Sequence, residues 1–265
     1  MPALRLTPTL RAIFAALALA LAAGGPSPAF AVPKALTAEE VYALGLKYLK
    51  RGYFTKALEQ FNRVRSYFRD DPISLKAELA IADIHYKKNE WDEARVAYED
   101  FMRAHPRYPE IDVVIYRLGM TIYKKAPLIP DRDPTWTRQV VSTWAGYSAR
   151  FPESEHREEV EKYLLKAQGR LARRELEIAH FYARREAWPA VIGRIDPLLV
   201  QWPDTPDRAE ALVLLGIAHH RIGQTDAAEA TLATLSAEKP GSSEARALQG
   251  ELRKAVRPPK VRRTG

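Results

Sequence analysis

Residues 38–61 read AEEVYALGLKYLKRGYFTKALEQF, and 37 positions further on residues 75–98 read LKAELAIADIHYKKNEWDEARVAY. Laid over each other, the two stretches keep a small residue at Gly45 and Ala82, a lysine at Lys50 and Lys87, and an alanine at Ala57 and Ala94. The same interval leads on to Gly119, Lys124 and, from Tyr86, to Tyr123. Self-similarity at a fixed period of this size is the mark of stacked supersecondary units. Small residues at fixed places let two antiparallel helices approach closely, and aromatic and aliphatic neighbours at helical spacing fill the groove between them. No stretch alternates with period two for long enough to suggest a strand. The pattern predicts an all-α chain of helix-turn-helix pairs.

Working outward, the small residue and the alanine fall where the tetratricopeptide repeat (TPR) keeps them, in a unit widened from its usual 34 residues by three. The first unit runs from Ala38 through Leu44-Gly45, Tyr48, Gly52, Ala57 and Phe61; the second holds Ile81-Ala82, Ala94, Tyr98, Phe101 and Pro106. The third has Gly119, an insert with Pro127, Pro130 and Asp131-Arg132-Asp133-Pro134, and then Val140, Trp144 and Tyr147 facing inward before Phe151-Pro152. A fourth, degenerate unit carries Ala179, Tyr182, Trp188 and Val191 and ends at Trp202-Pro203; the fifth keeps Leu215-Gly216, Gly223, Ala228 and Pro240 in register. The prolines stop second helices. Thr37 with Glu40 predicts a capping box, and Asp133-Pro134 an N-cap followed by proline at the first helical position. One pair cannot bury its own apolar face, so the pairs must stack. The expected fold is a TPR superhelical solenoid of five repeats, right-handed and all-α. A proline-free run from Glu155 to about Arg184 predicts a long helix joining the third and fourth units, and Ser242 to Val256 a terminal helix.

The ends of the chain read differently. Arg5 and Arg11 precede an uncharged apolar run from Ala12 to Ala23, followed by Gly24, Gly25, Pro26 and Pro28 and then Ala29-Phe30-Ala31. That is the layout of a cleaved secretory signal peptide, and 12 apolar residues fall short of the roughly 20 that span a bilayer. The expected division is 1–31 signal peptide, 32–152 N-terminal TPR region, 153–256 C-terminal TPR region and 257–265 basic tail. The net charge of +8 sits at the two ends: two basic residues in 1–31 and six from Arg253 to Arg263, against 33 basic and 33 acidic side chains between them. A neutral body argues against nucleic acid as a partner. The tail offers peripheral contact to anionic lipid head groups or to an acidic partner. No cysteine is present, which removes disulfides, thiolate metal sites and cysteine nucleophiles.

No nucleophile elbow, P-loop, dinucleotide glycine fingerprint or H-E-x-x-H is present. The adjacent His219 and His220 point to different helix faces, and Asp131 with Asp133 reads as a cap and a salt-bridged loop rather than an acid–base pair. The expectation is no catalytic residue, no metal and no cofactor; the chain binds and does not catalyse. In a TPR the first helix of each pair lines the concave side. Its groove-facing positions supply Tyr42, Leu46, Leu49 and Lys50, then Leu79, Asp83, Tyr86 and Lys87, then Tyr116, Met120, Tyr123 and Lys124. Three lysines stacked beside tyrosines suit a peptide carboxylate and its aromatic side chains. The same lysines read equally well as solvated helix ends favoured by the macrodipole, and the sequence leaves both readings open.

The stretch His105-Pro106, Pro109, Ile111-Asp112, Tyr116 and Gly119, then Asp131-Arg132-Asp133-Pro134, resembles the BamD family, the five-TPR subunit of the outer-membrane β-barrel assembly machine. So do Phe181-Tyr182, Ala187-Trp188, Arg194 and Pro203-Asp204-Thr205. The similarity runs from about Ala35 to Pro240. It implies a periplasmic scaffold, peripherally held at the inner face of the outer membrane. Its N-terminal repeats would recognise C-terminal signals of unfolded outer-membrane proteins, which commonly end in an aromatic residue. Its C-terminal repeats would hold a BamA-type barrel component, with Arg194 as the contact, alongside other subunits of the machine. Family members usually carry a lipidated cysteine after the signal peptide, where this sequence reads Ala29-Phe30-Ala31-Val32. No lipid anchor is therefore expected, and the chain would be held by partners. A soluble periplasmic TPR adaptor or chaperone of secretion or envelope assembly is the alternative.

Overall fold

In a computed structural model the described residues are 36–126 and 133–254. The expected signal peptide, most of the Asp-Arg-Asp-Pro insert, and the tail from Arg257 lie outside them. The described residues form α1 (Ala38–Lys50), α2 (Phe54–Tyr67), α3 (Ile73–Lys87), α4 (Trp91–Ala104), α5 (Ile111–Lys125), α6 (Thr135–Trp144), α7 (Tyr147–Arg150), α8 (Arg157–Ala183), α9 (Trp188–Gln201), α10 (Arg208–Arg221), α11 (Thr225–Glu238) and α12 (Ser243–Leu252), with no strand among them. This is an all-α TPR solenoid. α1 to α6 form three pairs, the second half of α8 pairs with α9, and α10 pairs with α11. The first helices also touch one another, α1 with α3, α5 with α8 and α8 with α10, and Asp83 of α3 pairs with Arg117 of α5, so that they make one inner layer.

The local chemistry explains the boundaries. Thr37 accepts the backbone N–H of Glu40 while the Glu40 carboxylate accepts that of Thr37, completing the capping box. Second helices stop at His105, Phe151, Trp202 and Lys239, whose φ values lie between −129° and −135°. Each precedes a proline, whose ring drives the preceding residue out of the helical region. At the third pair the cap is displaced by one residue. Asp133 accepts the Thr135 N–H, but Pro134 already has helical φ and ψ and takes the N-cap place, so the helix proper starts at Thr135. The expected second helix of that pair is also broken, because Gly146 takes φ +69° and divides α6 from α7.

The small residues do what the spacing predicts. A Cβ on Gly45 would stand 2.5 Å from the Phe61 ring, and one on Gly119 would collide with the Trp144 indole. Both rings belong to the paired helix and are fully buried, as are Ala57 and Ala94. In the fifth pair the close contact is made elsewhere: a Cβ on Gly216 would lie 2.8 Å from Leu248 of α12, so there the glycine admits the terminal helix. α12 is capped by the Ser242 hydroxyl accepting the Ala245 N–H, and it ends at Leu252 rather than Val256. The long helix α8 joins two core clusters. Val160 and Ala167 pack with Tyr98, Ile122 and Trp144, while Leu171, Leu176 and Ala179 pack with Val191, Ile195 and Leu215.

Candidate functional site

The inner layer carries the polar and aromatic side chains picked out by position. On α1, Tyr42 leans against Phe61 with ring centroids 5.4 Å apart. Beside it Asp83 of α3 accepts the Tyr98 hydroxyl at 2.5 Å and an Arg117 N–H at 3.0 Å, tying α3, α4 and α5 together. Burial pushes the Asp83 carboxyl up from the usual range, with Arg117 and the Tyr98 hydrogen bond pulling the other way. Burial, and next the Asp83 charge, raises the Tyr98 and Tyr42 phenols, so both hydroxyls stay neutral donors.

Tyr86 and Tyr116 meet around the start of α8. Tyr116 donates its hydroxyl to Glu159 at 2.8 Å and stacks on His156, centroids 4.0 Å apart and planes within 9°. Tyr86 packs edge-on against Trp91 at 5.3 Å, and its phenol is raised by burial first and by the Glu159 charge second. Tyr123 packs against Tyr163 at 4.8 Å, and its hydroxyl accepts an Arg170 N–H at 2.7 Å. Thus α8 and its N-cap residue His156 supply an imidazole, Glu159, Tyr163 and Arg170 to an inner layer that the repeat register assigned to α1, α3 and α5 alone. These four residues follow helical spacing along one face, a signal present in the sequence; what it lacks is any sign that this face meets the third pair.

Lys50, Lys87 and Lys124 occupy the last turn of three helices that run in the same direction, and all three are exposed. None forms an ion pair among the described residues. Their neighbours differ: Lys88 pairs with Glu90, and Lys125 pairs with Asp92 while lying 3.9 Å from the Trp136 ring centroid. The structure brings the tyrosines together along the inner layer and leaves the lysines at one edge of it. Arg194 lies apart on α9, where it donates to Glu175 of α8 at 3.1 Å. The histidine pair diverges as expected, His219 to Gln224 and His220 to the Lys254 carbonyl. Among the described residues no group of three His, Asp or Glu is placed to hold a metal ion.

Residues 34–235 match the model of the YfiO family, described as outer membrane lipoprotein. The chain belongs to this family. Its curated relatives include the outer membrane protein assembly factor BamD of Pasteurella multocida, 29% identical over 210 residues, 76% of this chain and 81% of the relative. That of Vibrio cholerae is 28% identical over 224 residues, 81% of this chain and 92% of the relative. That of Neisseria meningitidis serogroup A is 26% identical over 213 residues, 77% and 80%. Among solved structures, the TPR2AB domain of yeast Sti1 in its pHSP90 complex aligns over 81% of this chain and 82% of that one, at 17% identity and a TM-score of 0.42. The chain is a non-enzymatic member of the YfiO family. The matched span contains every groove residue and Arg194, and it stops within α11, so α12 lies beyond it. The family's description names a lipoprotein, whereas none of the 265 residues here is cysteine.

Proposed function

We propose that the protein is a periplasmic scaffold of outer-membrane β-barrel assembly, with the inner layer of the first three helix pairs as the site that receives unfolded clients. The observation that carries this reading is that Lys50, Lys87 and Lys124, exposed and without an ion pair among the described residues, stand in the last turn of the same three helices that carry Tyr42, Tyr86, Tyr116 and Tyr123, on a member of a family whose curated relatives are outer membrane protein assembly factors. A client ending in an aromatic residue would place its terminal carboxylate among Lys50, Lys87 and Lys124 and its ring against the tyrosines. The contacts narrow which tyrosines serve. One face of Tyr116 is already covered by His156, and the Tyr123 hydroxyl is taken by Arg170, so Tyr42 and Tyr86 are the better stacking partners.

The C-terminal region, from residue 153 to 256, then holds the barrel component, with Arg194 as the contact. There a partner carboxylate would compete with Glu175 for the exposed guanidinium. Export through residues 1–31 delivers the chain to the periplasm, and binding to the barrel and its companion subunits keeps it at the outer membrane. The direct test is the affinity for a peptide ending in Phe with a free carboxylate, set against its C-terminal amide. The native chain should prefer the free acid about tenfold, in line with one or two charge-assisted hydrogen bonds, and Lys50→Glu/Lys87→Glu/Lys124→Glu should lose that preference. Equal affinity of the triple variant for acid and amide, with the native preference absent as well, would return these lysines to solvated helix ends.

A further inference from the structure

The inner layer continues past the third pair. Where α5 meets α8 and the start of α10, a cleft is lined by Tyr123, Leu165, Lys166, Arg170, Arg173 and Pro206. The three cations follow at intervals of four and three along α8, which sets them on one face. Their charge balance is unequal. Arg173 is fully engaged, with Glu210 at 3.0 Å, Asp207 at 3.3 Å and Glu177 at 3.4 Å. Arg170 gives one Nη2 hydrogen bond to the Tyr123 hydroxyl, its guanidinium 4.5 Å from that ring's centroid, and has no carboxylate partner among the described residues. Its Nη1 is shut off from solvent with no acceptor. Lys166 sits 5.1 Å from the Tyr163 ring centroid and likewise has no ion pair among the described residues.

Arg170 as a whole is half-buried rather than sealed, and a guanidinium without a carboxylate partner matches the two oxygens of one. The surroundings fit an amino-acid side chain. Leu165 is 41% exposed beside Pro206, giving an apolar shelf. At Gly169 an added Cβ would have only Pro206 near it, at 3.7 Å, so a second backbone can come close. We propose that this cleft binds the carboxylate of an Asp or Glu side chain in an extended polypeptide lying along the inner layer, with an apolar neighbour on Leu165 and Pro206. Asp207, which also lines the cleft and is held by Arg173 at 3.3 Å, disfavours a dianion such as phosphate more than a single carboxylate. The inference rests on the reading that the inner layer carries a polypeptide, and it adds a second, internal anchor to the terminal one at the lysine row.

The test uses the full chain and a labelled peptide, N-acetylated and C-amidated, with one Glu between Leu and Phe, against the same peptide with Gln. Neither peptide has a terminal carboxylate, so the lysine row is not engaged. By fluorescence anisotropy the Glu peptide should bind about tenfold tighter. Lys166→Gln should narrow that ratio, and Arg170→Gln should bring it to one. Arg170→Lys, which keeps the charge and loses the fork, should fall between. Lys166 is exposed, so an unchanged melting curve of Lys166→Gln keeps its result interpretable whatever happens to the Arg170 variants. Equal binding of the Glu and Gln peptides to the native chain overturns the proposal. So does a ratio that survives Lys166→Gln and Arg170→Lys together, or inorganic phosphate displacing the Glu peptide at lower concentration than acetate. If the free-acid peptide still depends on the lysine row in that case, only this cleft has failed and the client-binding reading stands.

Discussion

Gly52 and Gly119 are both needed by the repeat, for opposite reasons. Gly52 turns the chain between α1 and α2 at φ +74° with nothing within 4 Å of where a Cβ would go, whereas Gly119 lies in helical backbone with Trp144 against it. Gly52→Ala should therefore cost only its left-handed conformation, about 1 kcal/mol. Gly119→Ala must displace a buried indole and should cost about 2–3 kcal/mol. Urea unfolding of the two variants checks the order; equal losses would mean that the α5–α6 contact yields. The same turn position recurs at Asn89, Glu186 and Gly223, with φ +60°, +58° and +82°. Asn89 stands 37 residues after Gly52, and Gly223 37 after Glu186. The spacing was there to be read, and Asn89 is the usual substitute for glycine in the left-handed region, but Glu186 gives no outward sign of it. Asp83 allows a second residue-level prediction. Its pKa is raised in the folded chain mainly by burial, with Arg117, Tyr98 and Lys87 opposing. A raised carboxyl contributes stability below its unfolded pKa and loses it as the pH climbs through the folded one. Native chain and Asp83→Asn should thus differ more in the native chain's favour at pH 4 than at pH 7, read as urea midpoints. A shift the other way would mean that Arg117 and Tyr98 outweigh burial.

At the scale of elements, α12 acts as the lid of the stack. Leu248 is fully buried against Gly216, Leu212 and Leu235, in a cluster that α10 and α11 cannot close by themselves. Leu248→Ala should cost about 3 kcal/mol by the usual price of a cavity, and a chain stopped at Gly241 should bind a hydrophobic dye at temperatures where the native chain does not. A truncated chain that melts like the native one would show that α11 closes the stack alone. Much at this level was legible beforehand. The interval of 37 marked the first pairs, prolines marked where the second helices after the first one end, and the run without proline gave α8 to within two residues at either end. What escaped was lateral. The face of α8 bearing His156, Glu159 and Tyr163 reads as an ordinary solvated stripe until α8 is packed against α5 and α6. That packing is set by contacts between elements distant in sequence, which no periodicity encodes. The break at Gly146 escaped for a related reason, since one glycine in a helical pattern does not announce a positive φ.

At the scale of the whole molecule, the two kinds of surface separate. The inner layer of α1, α3, α5 and α8 presents tyrosines, lysines without an ion pair among the described residues, and the Arg170 cleft, while Arg194 stands on α9 with Glu175 as its ion-pair partner among those residues. That separation predicts that client binding and barrel binding can be lost independently. Arg194→Glu should leave peptide affinity unchanged, and the lysine triple variant should still find its barrel partner. Whether this chain works as a scaffold of β-barrel assembly is read most directly by a crosslinked pull-down of the full-length protein from intact cell envelope. A scaffold role predicts that a BamA-type outer-membrane barrel is captured by the native chain and by the lysine triple variant, and is lost with Arg194→Glu. Capture of no barrel protein by the native chain, under conditions where it is folded and exported, would contradict it.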